Sequence, residues 1–253
     1  MQTLILKIKY DGTNYGGWQI QHNAPSIQEE IQKAFFELTG EKINLIGAGR
    51  TDAGVHAAGM VAHTILDKEL RIPQKKFVHA INGKLPSDIR ITNSVITEKE
   101  FNARFDAKAR EYSYSIHLED SPFINRFSTF IKYKLDFEKL FKSSEIFLGK
   151  HDFTTFSKLN NDTKNYVCNV KKCKWIRTTE NQYIFIIKAD RFVYGMVRSL
   201  VGAMLDAARG KRTIKNIKKS LAQKNRELCS PLAPPQGLVL EKIFYPKELD
   251  FFG

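Results

Sequence analysis

Residues capable of chemistry crowd most closely between Leu45 and Ala57, where the chain reads LIGAGRTDAGVHA. Arg50, Asp52 and His56 stand there within one short loop among Gly47, Gly49 and Gly54. Glycines permit positive φ and the close approach of another backbone. An aspartate in such a loop either caps its own turn or serves as a reactive carboxylate. A neighbouring guanidinium favours the second use, because it keeps the carboxylate ionised and oriented, as a nucleophile requires. Nucleotide-binding chemistry fails on position. G-x-G-x-x-G needs a third glycine where Asp52 stands, and a carboxylate there repels pyrophosphate. No Gly-Lys-Ser/Thr closes a glycine run, which excludes a Walker-type phosphate loop. The stretch KYDGT, Lys9 to Thr13, puts a lysine where aspartate-dependent phosphatases of the D-x-D-G-T pattern carry their nucleophile.

The loop must be positioned by the elements around it. TLILKIKY alternates, with Leu4, Leu6, Ile8 and Tyr10 on one face and Lys7 and Lys9 on the other, which predicts a strand in a sheet with one solvated side. PSIQEEIQKAFFELTG carries Ser26 and Glu29 at capping-box spacing, apolar residues at helical intervals and Gly40 as a stop, which predicts a helix. KINLIGAG and GMVAHTIL read as strands flanking the loop, PQKKFVHAINGKL as a helix with Pro73 near its start, and DIRITNSVIT as a further strand. After FNARFDAKA the pattern begins again. REYSYSIHL is a strand, DFEKLFKSSEIFLG a helix, NYVCNVKKCKWIRTT and QYIFIIKA two strands about a turn, and YGMVRSLVGAMLDAARG a helix. A shorter helix at IKNIKKSLAQ and a strand at GLVLEKIFYP complete the series. The expectation is two α+β halves, residues 1–105 and 106–253, of ordinary domain size.

Forty Lys and Arg against twenty-seven Asp and Glu give the 253-residue chain a formal charge of +13, which suits polyanionic partners such as RNA, DNA or anionic lipid. Cys168, Cys173 and Cys229 are odd in number and lack zinc-knuckle spacing, so neither a disulfide framework nor a metal site is expected. The N-terminal apolar run holds lysines and no small-residue cleavage site, and no run of eighteen apolar residues occurs, which predicts a cytoplasmic protein without a membrane span.

Six stretches, in order along nearly the whole chain, resemble the TruA family of tRNA pseudouridine synthases. They are YDGTNYGGWQIQ, GAGRTDAGVHA, FNARFDAKAREYSYSI, HDFTTFSK, FVYGMVRSLVGAML and PPQGLVLEKIFYP. The resemblance implies a pseudouridine synthase fold: two similar α+β halves, each an antiparallel sheet with helices on one face, forming a basic RNA-binding cleft. It implies an isomerase that breaks the uracil glycosidic bond in tRNA, turns the base and rejoins it to ribose through carbon. Such a reaction is redox-neutral and consumes no water overall, so no cofactor and no metal are expected.

By the same resemblance Asp52 is the nucleophile, attacking either ribose C1′ or uracil C6. Arg50 is similar to the residue that pairs with the aspartate and helps hold the target nucleotide flipped out; flipping is needed because a stacked, paired uridine hides its reacting carbons. Tyr112 resembles the tyrosine that stacks on the flipped uracil, with Tyr114 the lesser candidate two residues on. Arg198 resembles an arginine that reaches the aspartate from the second half, and Leu238 an apolar wall of the uracil pocket. His56 is expected to be structural, and Trp18 either shapes a loop near RNA or packs inward. The family acts as a homodimer that modifies uridines 38, 39 and 40 of the tRNA anticodon stem-loop. The alternatives are a non-catalytic RNA-binding protein on the same scaffold and a paralogue acting on ribosomal RNA. Substrate choice lies in surface shape, because A-form grooves are read through backbone and splayed bases.

Overall fold

The computed structural model describes residues 2–158 and 163–253. It is an α+β protein whose chain divides into two compact units. The first is Met1–Lys108 with Val239–Gly253, and the second is Ala109–Leu238. The division differs from the sequence expectation at its end, because the closing strand and tail belong with the first unit rather than with the second half.

The first unit is built on β1 (Gln2–Tyr10), β3 (His56–Leu66), β4 (Ile89–Thr97) and β10 (Leu238–Phe244), in the order β4-β1-β3-β10, with the two-residue β2 (Ile46–Gly47) paired to β3. β1 runs antiparallel to both β3 and β4, whereas β10 is parallel to β3 through Val239–His56 and Leu240–Ala57. KINLIGAG therefore contributes far less strand than its composition suggests, since only Ile46 and Gly47 find a partner. Helix α1 (Ile27–Thr39) begins and ends as its sequence predicts. Ser26 Oγ accepts the Glu29 N–H at 3.3 Å, and Gly40 closes the helix at φ 76°. Its buried face, Ile27, Ile31 and Phe35, meets Phe77 of α2 (Gln74–Asn82), with ring centres 6.3 Å apart.

The expectation of one solvated side to β1 requires correction. Ile5 is fully buried and lies opposite His63 in the register, so the two share a face. On that face Phe101 stands edge-on to His63 at 5.9 Å and contacts Tyr245 and Phe251 of the tail. Only the Lys7–Lys9 end is left to solvent, and Lys7 lies over the Phe252 ring. A second apolar layer, drawn from residues far away in sequence, has covered what alternation alone marks as wet.

The second unit orders its strands β5-β9-β8-β7, all antiparallel: β5 (Ala109–His117), β7 (Gly149–Asp152), β8 (Val167–Arg177) and β9 (Gln182–Ala189). The short β6 (Thr129–Phe130) adds to β5 in parallel. Neither β6 nor β7 is marked by alternation, because two to four residues are too few to display it. Helices α3 (Phe137–Ser144), α4 (Met196–Ala208) and α5 (Ile214–Gln223) complete the unit. α4 is the central helix: of its thirteen residues all but Arg198 are buried, and Met204 Sδ receives the Trp175 indole N–H at 3.3 Å. α5 keeps Ile217 and Leu221 inward and leaves Lys215, Lys218 and Lys219 exposed, so the basic run is a solvated helix face.

All three cysteines are free thiols, and burial pushes the Cys168 thiol up to about 12. Among the described residues no helix is long and apolar enough to cross a membrane.

Candidate active site

Arg50 and Asp52 lie in the first unit, on the connection between β2 and β3, and that connection is held mainly by its own unit's backbone. Ala48 N–H donates to Val61 O at 2.8 Å, and Val55 N–H closes the turn on Asp52 O at 3.2 Å. The remaining bonds come from the glycine-rich stretch after β1. Trp18 N–H donates to Thr51 O at 3.2 Å, Gly54 N–H to Tyr15 O at 3.3 Å, and the Tyr10 and Thr51 hydroxyls bond at 2.8 Å. YDGTNYGGW and GAGRTDAGVHA, separated in sequence by a whole helix, form one interlocked unit.

Two glycines make this interlock possible. Gly17 sits at φ 109°, and a Cβ there would run into the Thr51 carbonyl oxygen. Gly47 lies against the Trp18 indole, where a Cβ would come 2.6 Å from Nε1. Trp18 is 2 % exposed, so of the two expectations the inward-packed one is correct, and the ring braces the loop from beneath. His56 is buried too. Its Nδ1 accepts the Gly12 N–H at 3.1 Å and lies 3.1 Å from the Asp11 carboxylate, which gives it a structural place at the start of β3.

Within this frame the two site candidates differ. The Asp52 residue is half-buried and engaged by neighbours, whereas Arg50 is exposed and makes no hydrogen bond or ion pair among the described residues. The expected pairing of Arg50 with Asp52 is therefore absent in this structure. The guanidinium projects to solvent from a rigid turn.

Tyr112, Arg198 and Leu238 lie in the second unit. Arg198 is anchored at both ends of the residue: its Nε–H donates to the Ala233 carbonyl at 2.8 Å, and its own carbonyl accepts the Ala233 N–H at 3.0 Å. The adjoining Pro234 carbonyl accepts the Tyr114 hydroxyl at 2.9 Å, and that hydroxyl also bonds Thr129 Oγ1 at 2.7 Å. Tyr114 is fully buried, and burial holds its phenol well above the ordinary range despite the nearby Arg198 charge. It is a neutral structural strut. Leu238 follows Gly237, which packs close on the Tyr114 ring, and is itself 6 % exposed. Arg198, Tyr114 and the 233–238 stretch are thus one packed group.

Tyr112 takes a separate position on β5. Its ring meets Phe192 edge-on at 5.1 Å, an arrangement worth about 1 kcal/mol beyond the area it buries. Sequence reasoning missed Phe192, although it lies in the FVYGMVR stretch six residues before Arg198. An aromatic in a loop has no periodicity to mark it, and only the folded chain brings it to Tyr112.

Comparison with known proteins bears on this arrangement. The family model described as tRNA pseudouridine synthase matches residues 7–106 and 144–246, which include Arg50, Asp52, Arg198 and Leu238. A protein of Bacteroides fragilis named tRNA pseudouridine synthase A is 39% identical over 249 residues, covering 98% of each chain. One of Protochlamydia amoebophila, named tRNA pseudouridine synthase A 1, is 41% identical over 98% of each chain. One of Acetivibrio thermocellus is 39% identical over 97% of this chain and all of its own length. Among solved structures, a chain in an H/ACA RNP bound to a substrate RNA aligns with a TM-score of 0.37 and 11% identity over 80% of this chain and 43% of that one, too distant to add to the reading. Identity at this level along the full length, with the motif loop and the Arg198 helix both inside the matched segments, means that the chain belongs to the tRNA pseudouridine synthase family of isomerases.

Proposed function

We propose that the protein converts uridine to pseudouridine at positions 38, 39 and 40 of the tRNA anticodon stem-loop, acting as a homodimer in the cytoplasm, with Asp52 as nucleophile. The observation that carries this reading is the braced loop itself. A half-buried carboxylate is held on a turn that β3, Trp18 and Tyr15 keep from relaxing, within a chain matched to the family over most of its length. A protein that only bound polyanionic RNA has no use for a carboxylate fixed in this way.

The target uridine must leave its stack before its sugar and base carbons are accessible, at a cost of about a few kcal/mol. An exposed arginine on a rigid turn suits the task of filling the space it leaves, which is the role assigned to Arg50. Tyr112, buried and braced by Phe192, is the ring assigned to the extruded uracil, and Leu238 its apolar wall. Arg198 is the cation for Asp52. The carboxylate attacks C1′ or C6, the N1–C1′ bond breaks, and the base turns. C5 then bonds to C1′, the C5 hydrogen leaves as a proton, and N1 ends protonated, so the product is an isomer of the substrate. Asp52 is released unchanged.

Replacing Asp52 with Asn removes the nucleophile at nearly constant shape. The expected result is retained fold and retained tRNA binding with loss of tritium release from C5-labelled tRNA. Release at the wild-type rate by Asp52→Asn refutes the assignment.

A further inference from the structure

Outside the residues assigned so far, the second unit joins an exposed aromatic ring to a cation. Tyr194 is 44% exposed, and the Lys158 ammonium lies 5.1 Å from the centre of its ring. The backbone beneath that ring is held twice. The Tyr194 carbonyl accepts the Lys158 N–H at 2.8 Å and the Ser157 hydroxyl at 3.3 Å. Val193 on one side is buried, and Gly195 on the other turns the chain into α4 at φ 70°. Tyr194 is therefore presented outward from a fixed support. Two residues earlier the same segment presents Phe192 to Tyr112. Arg191, at the start of the segment, is exposed, and its backbone N–H donates to the Asp190 carboxylate at 2.7 Å.

A large aromatic ring left in water with a lysine over it has a chemical match in unpaired nucleotides. Their bases stack on aromatic faces whatever their identity, and their phosphates are neutralised by lysine. We propose that Tyr194 and Lys158 form a second nucleotide-binding position for the RNA substrate, distinct from the position of the uridine being isomerised. An unpaired base stacks on the Tyr194 ring opposite the lysine, and the adjoining phosphate is neutralised by Lys158. This inference rests on tRNA being the substrate, and it adds a contact that needs no bond-making group.

The test is filter binding of an unmodified tRNA transcript to the full-length Asp52→Asn protein, alone and combined with Tyr194→Ala, Tyr194→Phe or Lys158→Ala, across a range of salt. Tyr194→Ala is expected to weaken binding roughly ten-fold, the range of one base–aromatic stack. Tyr194→Phe is expected to bind as tightly as its parent, since the ring face survives. Lys158→Ala is expected to weaken binding and to lower the salt slope by about one. Unchanged affinity in Tyr194→Ala overturns the proposal, and so does a Tyr194→Phe variant as weak as Tyr194→Ala. Circular dichroism of each variant guards against misfolding, which an exposed side chain is not expected to cause. Pseudouridine formation by the protein with Asp52 intact is measured on the same transcript. Binding without isomerisation breaks the proposed function and leaves this site standing; isomerisation with no effect at Tyr194 breaks this site alone.

Discussion

Arg50 and Arg198 are two arginines held in opposite ways. Arg198 is fastened through its side chain, which donates to the Ala233 carbonyl while its own backbone pairs with Ala233 again. Arg50 has an exposed side chain on a loop whose backbone is clamped from several directions. In one the guanidinium itself is positioned, and in the other only the point from which it projects. The difference matches the different roles proposed for them: a positioned charge for Arg198, and for Arg50 a side chain that moves into a space when a nucleotide leaves it.

The sharpest way to break this contrast is to release the clamp. Gly17→Ala places a Cβ against the Thr51 carbonyl at a φ that alanine resists, and is expected to cost about 3 kcal/mol. Its thermal midpoint should fall and tritium release should collapse with it. A variant that stays as stable and active as wild type would mean that the loop is not held in the manner described. Next in size is Arg198→Lys. The charge survives, but the Nε donor to the Ala233 carbonyl is lost, with an expected cost of about 2 kcal/mol in urea unfolding and a loss of turnover.

The pH dependence tests the layer behind the loop. Burial, the largest effect, lowers the His63 pKa, while a bond to the Ile46 backbone and the Asp106 charge act in the other direction. Its Nδ1 accepts the Ala103 N–H at 3.1 Å, an acceptor that protonation would remove. A folded-state value below the unfolded one means that the unfolded chain binds the extra proton first. Stability is therefore full above the ordinary value of roughly 6.5 and declines as pH falls through it. His63→Gln is expected to flatten the wild-type fall in thermal midpoint between neutral pH and pH 5. An identical slope in both proteins would remove His63 from the account.

The smallest expected effect on stability belongs to Arg50→Ala, within about 0.5 kcal/mol, because nothing in the fold leans on that side chain. Its effect should appear in turnover instead. If Arg50→Ala unfolds at much lower urea than wild type, the contrast with Arg198 fails.

The amino-acid sequence by itself determined the elements with strong local signals. α1, with its serine cap and glycine stop, and β1, with its alternation, are legible because propensity, capping and periodicity agree within a dozen residues. The same holds for the motif loop: three glycines around Arg50 and Asp52 mark a constrained turn before any fold is known. The tertiary structure alone decided what lies across from each element. It set Trp18 beneath Gly47, Phe192 against Tyr112 and Ala233 on Arg198, and it brought Phe101 to His63 with Phe251 against Phe101. It also returned β10 to the first unit by pairing it in parallel with β3. Such contacts join residues tens to hundreds of positions apart, and they arise from shape and buried area that no local pattern encodes.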